Sequence, residues 1–480
     1  MIRIRGKRIY VLGLSVVALI FMLLWGMLTP NKYYVSVCLG IILLIIIVSV
    51  LIMDKNKFLL NPLVLFSVMY LTTPFSVFYL VATNFETNNF IGAYTYGTDF
   101  PIQFAISILW YVIGYICFVA GYKLLDNKNM TDSYLINNKT DADSISNRML
   151  FVISCFFWGI AIVNFAVNIR STSGNLISYF SNIAVINYKY GNINTDIGYN
   201  FGYLSVYLYI YYLQKNKKKI NSTFWLFLIS TAVIRASTGR IFQTIVYLGI
   251  VLGMIYIYNI QFEKKIRNGK YIRIAIALAG FSIVFYILRL MSRMSYNGMI
   301  KGSFWDAFSE VFGEIGYYLF DRGNTVNVIL MPKIISSWER DCGGFLLGRS
   351  IFSGLNTYFE FLSNIFPKTS IIIKEQWYSN IISGALPASG VGEMYINFSI
   401  FGPTLGMFFL GLVGAKVYRW FIKQNQFWKR LIYMEILFSF FFIFPKTDFS
   451  TFPFFNVGLI FVTFGVLNIF SKKKGKAKKG

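Results

Sequence analysis

Three stretches of this 480-residue chain set charge among apolar residues. "VIRASTGRIFQ", residues 233–243, places Arg235 and Arg240 five positions apart between two apolar runs. A guanidinium is a planar fork that matches phosphate oxygens and stays charged at any relevant pH, so such a pair suits a phosphate-bearing ligand. Arginines at the mouth of a span also snorkel to the interface or hold an ion pair, and that role stays open here. Gly239, between them, lets a ligand approach the backbone. Arg289 and Arg293 repeat the theme where a later apolar run ends. The second stretch, "LPASGVGEMYINFSIFGPTLGMFFLGLVG" (386–414), carries Glu393 and Asn397 at i and i+4, one face of a helix. A carboxylate there either takes a proton from a hydroxyl or pairs with an arginine. The third, "FPKTDFSTF", brings Lys446 and Asp448 into one short turn, which is a reserve carboxylate or simply a turn.

Other chemistry has little to stand on. The chain has no histidine, which removes the commonest general base and a common transition-metal ligand. Its four cysteines (Cys38, Cys117, Cys155, Cys342) are scattered and form neither a disulfide framework nor a CxxC pair. No P-loop, GxGxxG, HExxH or DxD pattern occurs, so we expect no metal and no cofactor.

The elements that must position these residues are membrane helices. Hydrophobic residues make up 56% of the chain and charged ones only 14%, where a soluble protein has about a quarter charged. Apolar runs of about 20 residues recur, the length that crosses ~30 Å of hydrocarbon. The expected fold class is all-α: a polytopic helical membrane protein of about twelve spans. We place them near 9–29, 33–53, 58–82, 101–124, 148–168, 198–213, 222–236, 240–260, 272–290, 389–415, 431–447 and 452–470. The first apolar run ends in "TPNK" without a cleavage site, so a retained first span is expected. The resulting divisions are spans one to nine in 1–290, a long loop in 291–388, the last three spans in 389–470 and a basic tail in 471–480.

Charge fixes the expected orientation. With the N-terminus in the cytoplasm, seven short segments on that side carry 30 of the 45 Lys and Arg residues. That is the positive-inside pattern, and it puts both termini in the cytoplasm. The net charge of +25 is therefore a membrane-topology signal with anionic lipid as its partner, and no nucleic acid is expected. The long loop falls on the opposite side. Within it, "SFWDAFSEVFGEIGYYLFDRG" reads as an amphipathic helix, with Asp306, Glu310 and Glu314 opposite an aromatic face. Gly402, Gly406, Gly411 and Gly414 read as close helix-packing sites.

This organisation resembles the bacterial oligosaccharide repeat-unit polymerases, the Wzy-type O-antigen and capsule polymerases, to which O-antigen ligases are related. The likeness runs from about 200 to 465 and rests on three features. They are "RASTGR" leading into a span, a large loop before the last three spans, and a glycine-rich stretch of the type G-E-x-Y-x-N-F-x-x-x-G. The resemblance implies glycosyl transfer without a metal at the outer face of the bacterial cytoplasmic membrane. The donor is a glycan on undecaprenyl diphosphate, the acceptor a lipid-linked repeat unit, and a chain-length regulator is a possible partner. Arg240 then stabilises the departing diphosphate, which Arg235, Arg289 and Arg293 help to bind. Glu393 is the expected base and Asp448 its reserve. Tyr395, Asn397 and Lys446 contact substrate, and Trp305, Trp338 and Trp377 stack on sugars. A ligase, a flippase of lipid-linked oligosaccharides and a scaffold protein are the alternatives. The absent histidine disfavours the first, the missing pseudo-symmetry the second, and the paired arginines the third.

Overall fold

A computed structural model describes residues 32–54, 58–82, 100–125, 145–172, 193–237, 241–263, 326–357, 359–378 and 386–477, with the single positions 269, 273 and 309. All regular secondary structure among them is helical. Seven helical stretches are long and apolar enough to cross a membrane: Tyr34–Met53, Pro62–Ala82, Phe100–Leu125, Asn147–Ser171, Gln243–Ile260, Gly402–Ile422 and Phe449–Ile469. Ser222–Ala236 is apolar but shorter. The run expected near 9–29 lies outside the described residues, as do the run near 272–290 and the amphipathic stretch around 303–320 apart from one position each.

The chain forms two compact units. The first comprises Met1–Asp132, Gly316–Ile422 and Ser439–Phe455. Its helices are α1 (Tyr34–Met53), α2 (Pro62–Tyr70), α3 (Thr72–Ala82) and α4 (Phe100–Leu125). The second unit, described next, supplies α5 to α8, and the numbering returns to the first unit at α9. Asn61 caps α2 by accepting the Val64 amide at 2.8 Å, with Pro62 in the first turn where its missing N–H costs nothing. The second unit comprises Ser133–Ile315, Lys423–Phe438 and Asn456–Gly480. It holds α5 (Asn147–Thr172), α6 (Ile193–Lys215), α7 (Ser222–Ser237) and α8 (Ile241–Glu263). The remaining helices of the first unit are α9 (Val326–Asp341), α10 (Thr369–Tyr378), α11 (Ser389–Phe398) and α12 (Met407–Ile422). The second unit is completed by α13 (Phe427–Ile436) and α14 (Phe454–Ala477), of which Phe454 and Phe455 count with the first unit.

Within the first unit α4 and α12 cross at glycines. A Cβ on Gly121 would collide with the Phe408 carbonyl, and one on Gly411 with the Phe118 carbonyl. The two helices thus meet backbone to backbone, which only small residues allow. Gly402 makes a similar approach, to the Met394 carbonyl.

One expected span is interrupted. The run 389–415 is broken at Ser399, whose φ of +55° ends α11 while its amide still bonds the Tyr395 carbonyl at 2.7 Å. The apolar stretch long enough to span begins at Gly402, so α11 and Glu393 lie ahead of it. Pro403 and Gly402 explain the break: one cannot donate to a continuing helix, and the other permits the chain to fold back on α11.

A buried carboxylate pair on α11 and the Phe444–Thr451 turns

The charged residues of the second and third stretches come together in the first unit. Ser389 opens α11 with φ +71°, and its hydroxyl caps the Gly392 amide at 3.2 Å. That hydroxyl also lies 2.8 Å from the Tyr111 hydroxyl of α4, which in turn reaches the Asn327 carbonyl of α9 at 3.2 Å. These contacts fix the start of α11 against two neighbours, one turn before Glu393.

Glu393 is completely enclosed. Ser350 donates to its Oε1 and Thr369 to its Oε2. Asn397, one turn on, donates to the Glu393 carbonyl at 2.8 Å and to Ser350 Oγ at 2.7 Å. Its Oδ1 accepts the Gly348 amide at 3.0 Å. Leu346 and Leu347 donate to the Ile396 and Asn397 carbonyls at 3.1 and 2.9 Å. Asn397 is therefore a bracket that holds the 346–350 segment, and with it Ser350, onto α11. Gly348 has φ +87°, a conformation that suits glycine at this tight passage.

Asp448 arrives from the other side. It lies between the short turns Phe444–Lys446 and Phe449–Thr451 and is 2% exposed. Its Oδ1 accepts the Ser450 amide at 3.0 Å and the Ser450 hydroxyl. Its Oδ2 lies 3.4 Å from Thr369 Oγ1. One threonine hydroxyl thus stands between two carboxyl groups 55 positions apart in sequence. Burial first, and then the charge of Asp448, push the Glu393 carboxyl up to about 8, against the pull of its hydroxyl and amide donors. Lys446 is also buried. Its backbone carbonyl accepts the Asn327 side chain of α9.

Other expected residues are placed elsewhere. Tyr395 packs edge-on against Phe345, 6.1 Å between ring centres, and its hydroxyl points to the Ile335 carbonyl at 3.5 Å. Trp338 is 1% exposed, so it is a core residue with no face for a sugar; its indole N–H bonds the Gly344 carbonyl at 3.2 Å. Trp377 keeps partial exposure and donates to Asp341 at 3.1 Å. Trp305 lies outside the described residues, as do Arg240, Arg289 and Arg293.

Arg235 belongs to the second unit. It is 6% exposed at the end of α7 and lies over the rings of Tyr199 and Tyr203, at 5.6 and 5.8 Å. Its Nη2 donates to Gln243 of α8. Tyr203 continues the stack onto Tyr247, with centroids 4.0 Å apart. An aromatic grip of this kind stabilises a desolvated cation by about 2 kcal/mol. Further along the same unit Glu435 is buried, accepting from Tyr207 at 3.0 Å and Asn456 at 3.2 Å.

Ser350 and Thr369 were not legible as site residues. A serine after "GFLLGR" and a threonine at a helix start look like ordinary turn and cap positions. The glycine at 348 was the available signal, since it marks a passage where the chain must turn closely.

Apolar helices crossing at glycines, together with an enclosed carboxylate pair, define a multi-pass membrane protein with a buried polar centre. Over residues 11–478 the chain matches the family model "O-antigen polysaccharide polymerase Wzy", and it belongs to that family. No curated protein and no solved structure matches the chain. Membership makes it a glycosyltransferase-type membrane enzyme that polymerises lipid-linked oligosaccharide repeat units into polysaccharide. The family implies undecaprenyl diphosphate as the lipid carrier.

Proposed function

We propose that the Glu393–Asp448 pair is the proton-accepting centre of the polymerase. Glycosyl transfer onto a sugar hydroxyl releases that hydroxyl's proton, and a positioned base contributes about 10²–10⁴-fold to such a step. The observation that carries the proposal is the meeting of two enclosed carboxyl groups on one hydroxyl. Glu393, whose proton affinity is raised by burial, is the final acceptor. The diphosphate leaving group needs fixed positive charge instead of a proton. For that role we retain the arginines expected from the sequence: Arg240, with Arg235, Arg289 and Arg293. Lys446 and Tyr395 remain the proposed substrate contacts, and Asn397, expected as a third, is proposed to act on substrate indirectly, through its hold on the 346–350 segment.

The reading also takes the transfer to need no metal and to occur at the outer face of the cytoplasmic membrane. It takes the chain to have about twelve spans, the length of run that crosses a bilayer recurring that often. The 291–388 segment is then extracytoplasmic and both termini cytoplasmic, as the 30 basic residues on one side support. A chain-length regulator is proposed as a protein partner. The test is polymerisation by the purified enzyme from a lipid-linked repeat unit in the presence of EDTA. We expect long chains from the wild type and single units from Glu393→Gln. Growth abolished by EDTA and restored by Mg²⁺ would remove the metal-free account, and full-rate growth by Glu393→Gln would remove the base.

A further inference from the structure

The proposed proton acceptor is enclosed, so the proton needs a route to it. A hydroxyl carries one proton and two lone pairs. Thr369 Oγ1 is placed to donate its one proton to Glu393 Oε2 or to Asp448 Oδ2, 3.4 Å away, and it can accept from either carboxyl when that carboxyl is protonated. Both oxygens of Glu393 are occupied by hydroxyls, from Ser350 and Thr369. Asp448 has one oxygen taken by Ser450 and turns the other to Thr369, so the Thr369 hydroxyl joins the two carboxyls.

We propose that Thr369 is a proton relay between Asp448 and Glu393, a positioning residue whose hydroxyl joins the two carboxyls into one proton-holding unit. This rests on the carboxylate-pair reading of the site. The step balances as follows. The acceptor hydroxyl gives its proton to Asp448 Oδ2 as its oxygen forms the new glycosidic bond, while the donor's anomeric carbon–oxygen bond to the lipid diphosphate breaks and the diphosphate leaves with that electron pair. Asp448 passes that proton to Thr369 Oγ1 while Thr369 passes its own to Glu393 Oε2. Thr369 starts and ends neutral, Asp448 is restored as a carboxylate, and one proton resides on Glu393.

Thr369 is enclosed together with Ser350 and the two carboxyls, so bulk water is kept from short-circuiting the route. Three cationic groups come from the surrounding elements. Lys368 precedes Thr369 on α10, and its ammonium is lowered by burial against the raising charge of Asp448. Lys446 lies two residues before Asp448, and Arg349 beside Ser350. On α11 itself Asn397 fixes Ser350, and Tyr111 fixes the start of the helix.

The experiment compares full-length Thr369→Val, which keeps the shape and loses the hydroxyl, with Thr369→Ser, which keeps the hydroxyl. Polymerisation rate, KM for the lipid-linked unit, pH profile and proton inventory in H2O/D2O mixtures are read for each. Expected is a loss of about 100-fold in kcat for Thr369→Val with KM little changed, and a loss under about tenfold for Thr369→Ser. The wild type should give a curved proton inventory, because two protons move together, and Thr369→Val a linear one. If Thr369→Val polymerises like the wild type while Glu393→Gln is inactive, the relay is wrong and the base stands. If Glu393→Gln and Asp448→Asn are both fully active, the carboxylate reading itself is wrong. Should Thr369→Val fail to fold, the wild-type inventory decides alone, a linear plot overturning the relay.

Discussion

Replacing Glu393 with Gln separates a catalytic carboxylate from a structural one, because the two roles predict opposite pH behaviour. Glutamine copies the shape of the protonated acid and still accepts from Ser350 or Thr369, so the fold should survive. The Glu393 carboxyl is held up at about 8 by burial and by Asp448. A base works only when ionised, so a raised value makes the rate climb with pH, not fall. Below the midpoint the ionised fraction changes about tenfold per pH unit: roughly 1% at pH 6, 10% at pH 7 and 90% at pH 9. The wild-type to Glu393→Gln rate ratio should therefore grow by about two orders of magnitude from pH 6 to pH 9 and level off above the midpoint. Asp448→Asn removes a negative neighbour, which favours ionised Glu393, so the rising limb should shift to lower pH. The assay is initial-rate polymerisation in detergent or nanodiscs with product length read by gel. A rate ratio that stays near one from pH 6 to pH 9 would refute the reasoning and leave Glu393 as packing.

Four further outcomes are expected. Arg240→Ala should nearly abolish chain growth and Arg240→Lys should impair it, since lysine keeps the charge but loses the fork; lysine at wild-type rate would make the residue an anchor. Arg235→Lys should lower stability as well as rate, because the planar stack on Tyr199 and Tyr203 is lost, and a thermal unfolding midpoint equal to wild type would contradict that contact. Gly411→Val should cost about 1–3 kcal/mol by forcing α12 off the Phe118 carbonyl of α4, whereas Gly458→Val, with open space around it, should leave the unfolding midpoint unchanged. Reporter fusions after Lys219 and Lys270 should read cytoplasmic, and one near Ser336 extracytoplasmic. A cytoplasmic signal at Ser336 would put the carboxylate pair's neighbours on the wrong side.

The helical class was legible because membrane insertion writes itself into composition and run length. Helix ends within the runs were less so. The break at Ser399 depends on a backbone angle that serine rarely takes, and on Gly402 meeting a carbonyl 8 residues back. Neither leaves a mark in hydropathy. The i, i+4 placement of Glu393 and Asn397 did identify a shared helix face, and both face the 348–350 segment. It assigned Glu393 as the base and Asn397 as a substrate contact; in the structure Asn397 holds the 346–350 segment onto α11 beside the enclosed Glu393. The partners Ser350 and Thr369 come from a segment where aromatic content drew attention to the tryptophans. Hydroxyls are common at turns and caps, so their type alone separates a site from a loop poorly.

The chemistry of the pair follows from what this segment supplies. A lone carboxylate without water costs several kcal/mol, and its ordinary remedy is a cation. Here Glu393 is met by two hydroxyls and Asp448 by a serine amide and hydroxyl, all of them neutral. Neutral donors tolerate both protonation states, because a hydroxyl can donate to a carboxylate or accept from a carboxylic acid by rotating. An arginine in the same place would hold Glu393 ionised and far too weak a base for a sugar hydroxyl. Hydroxyl partners leave its proton affinity high enough to take a proton near neutral pH and let it go again between turnovers. The arginines are then free to serve the phosphates, where fixed charge is the requirement and proton exchange is not.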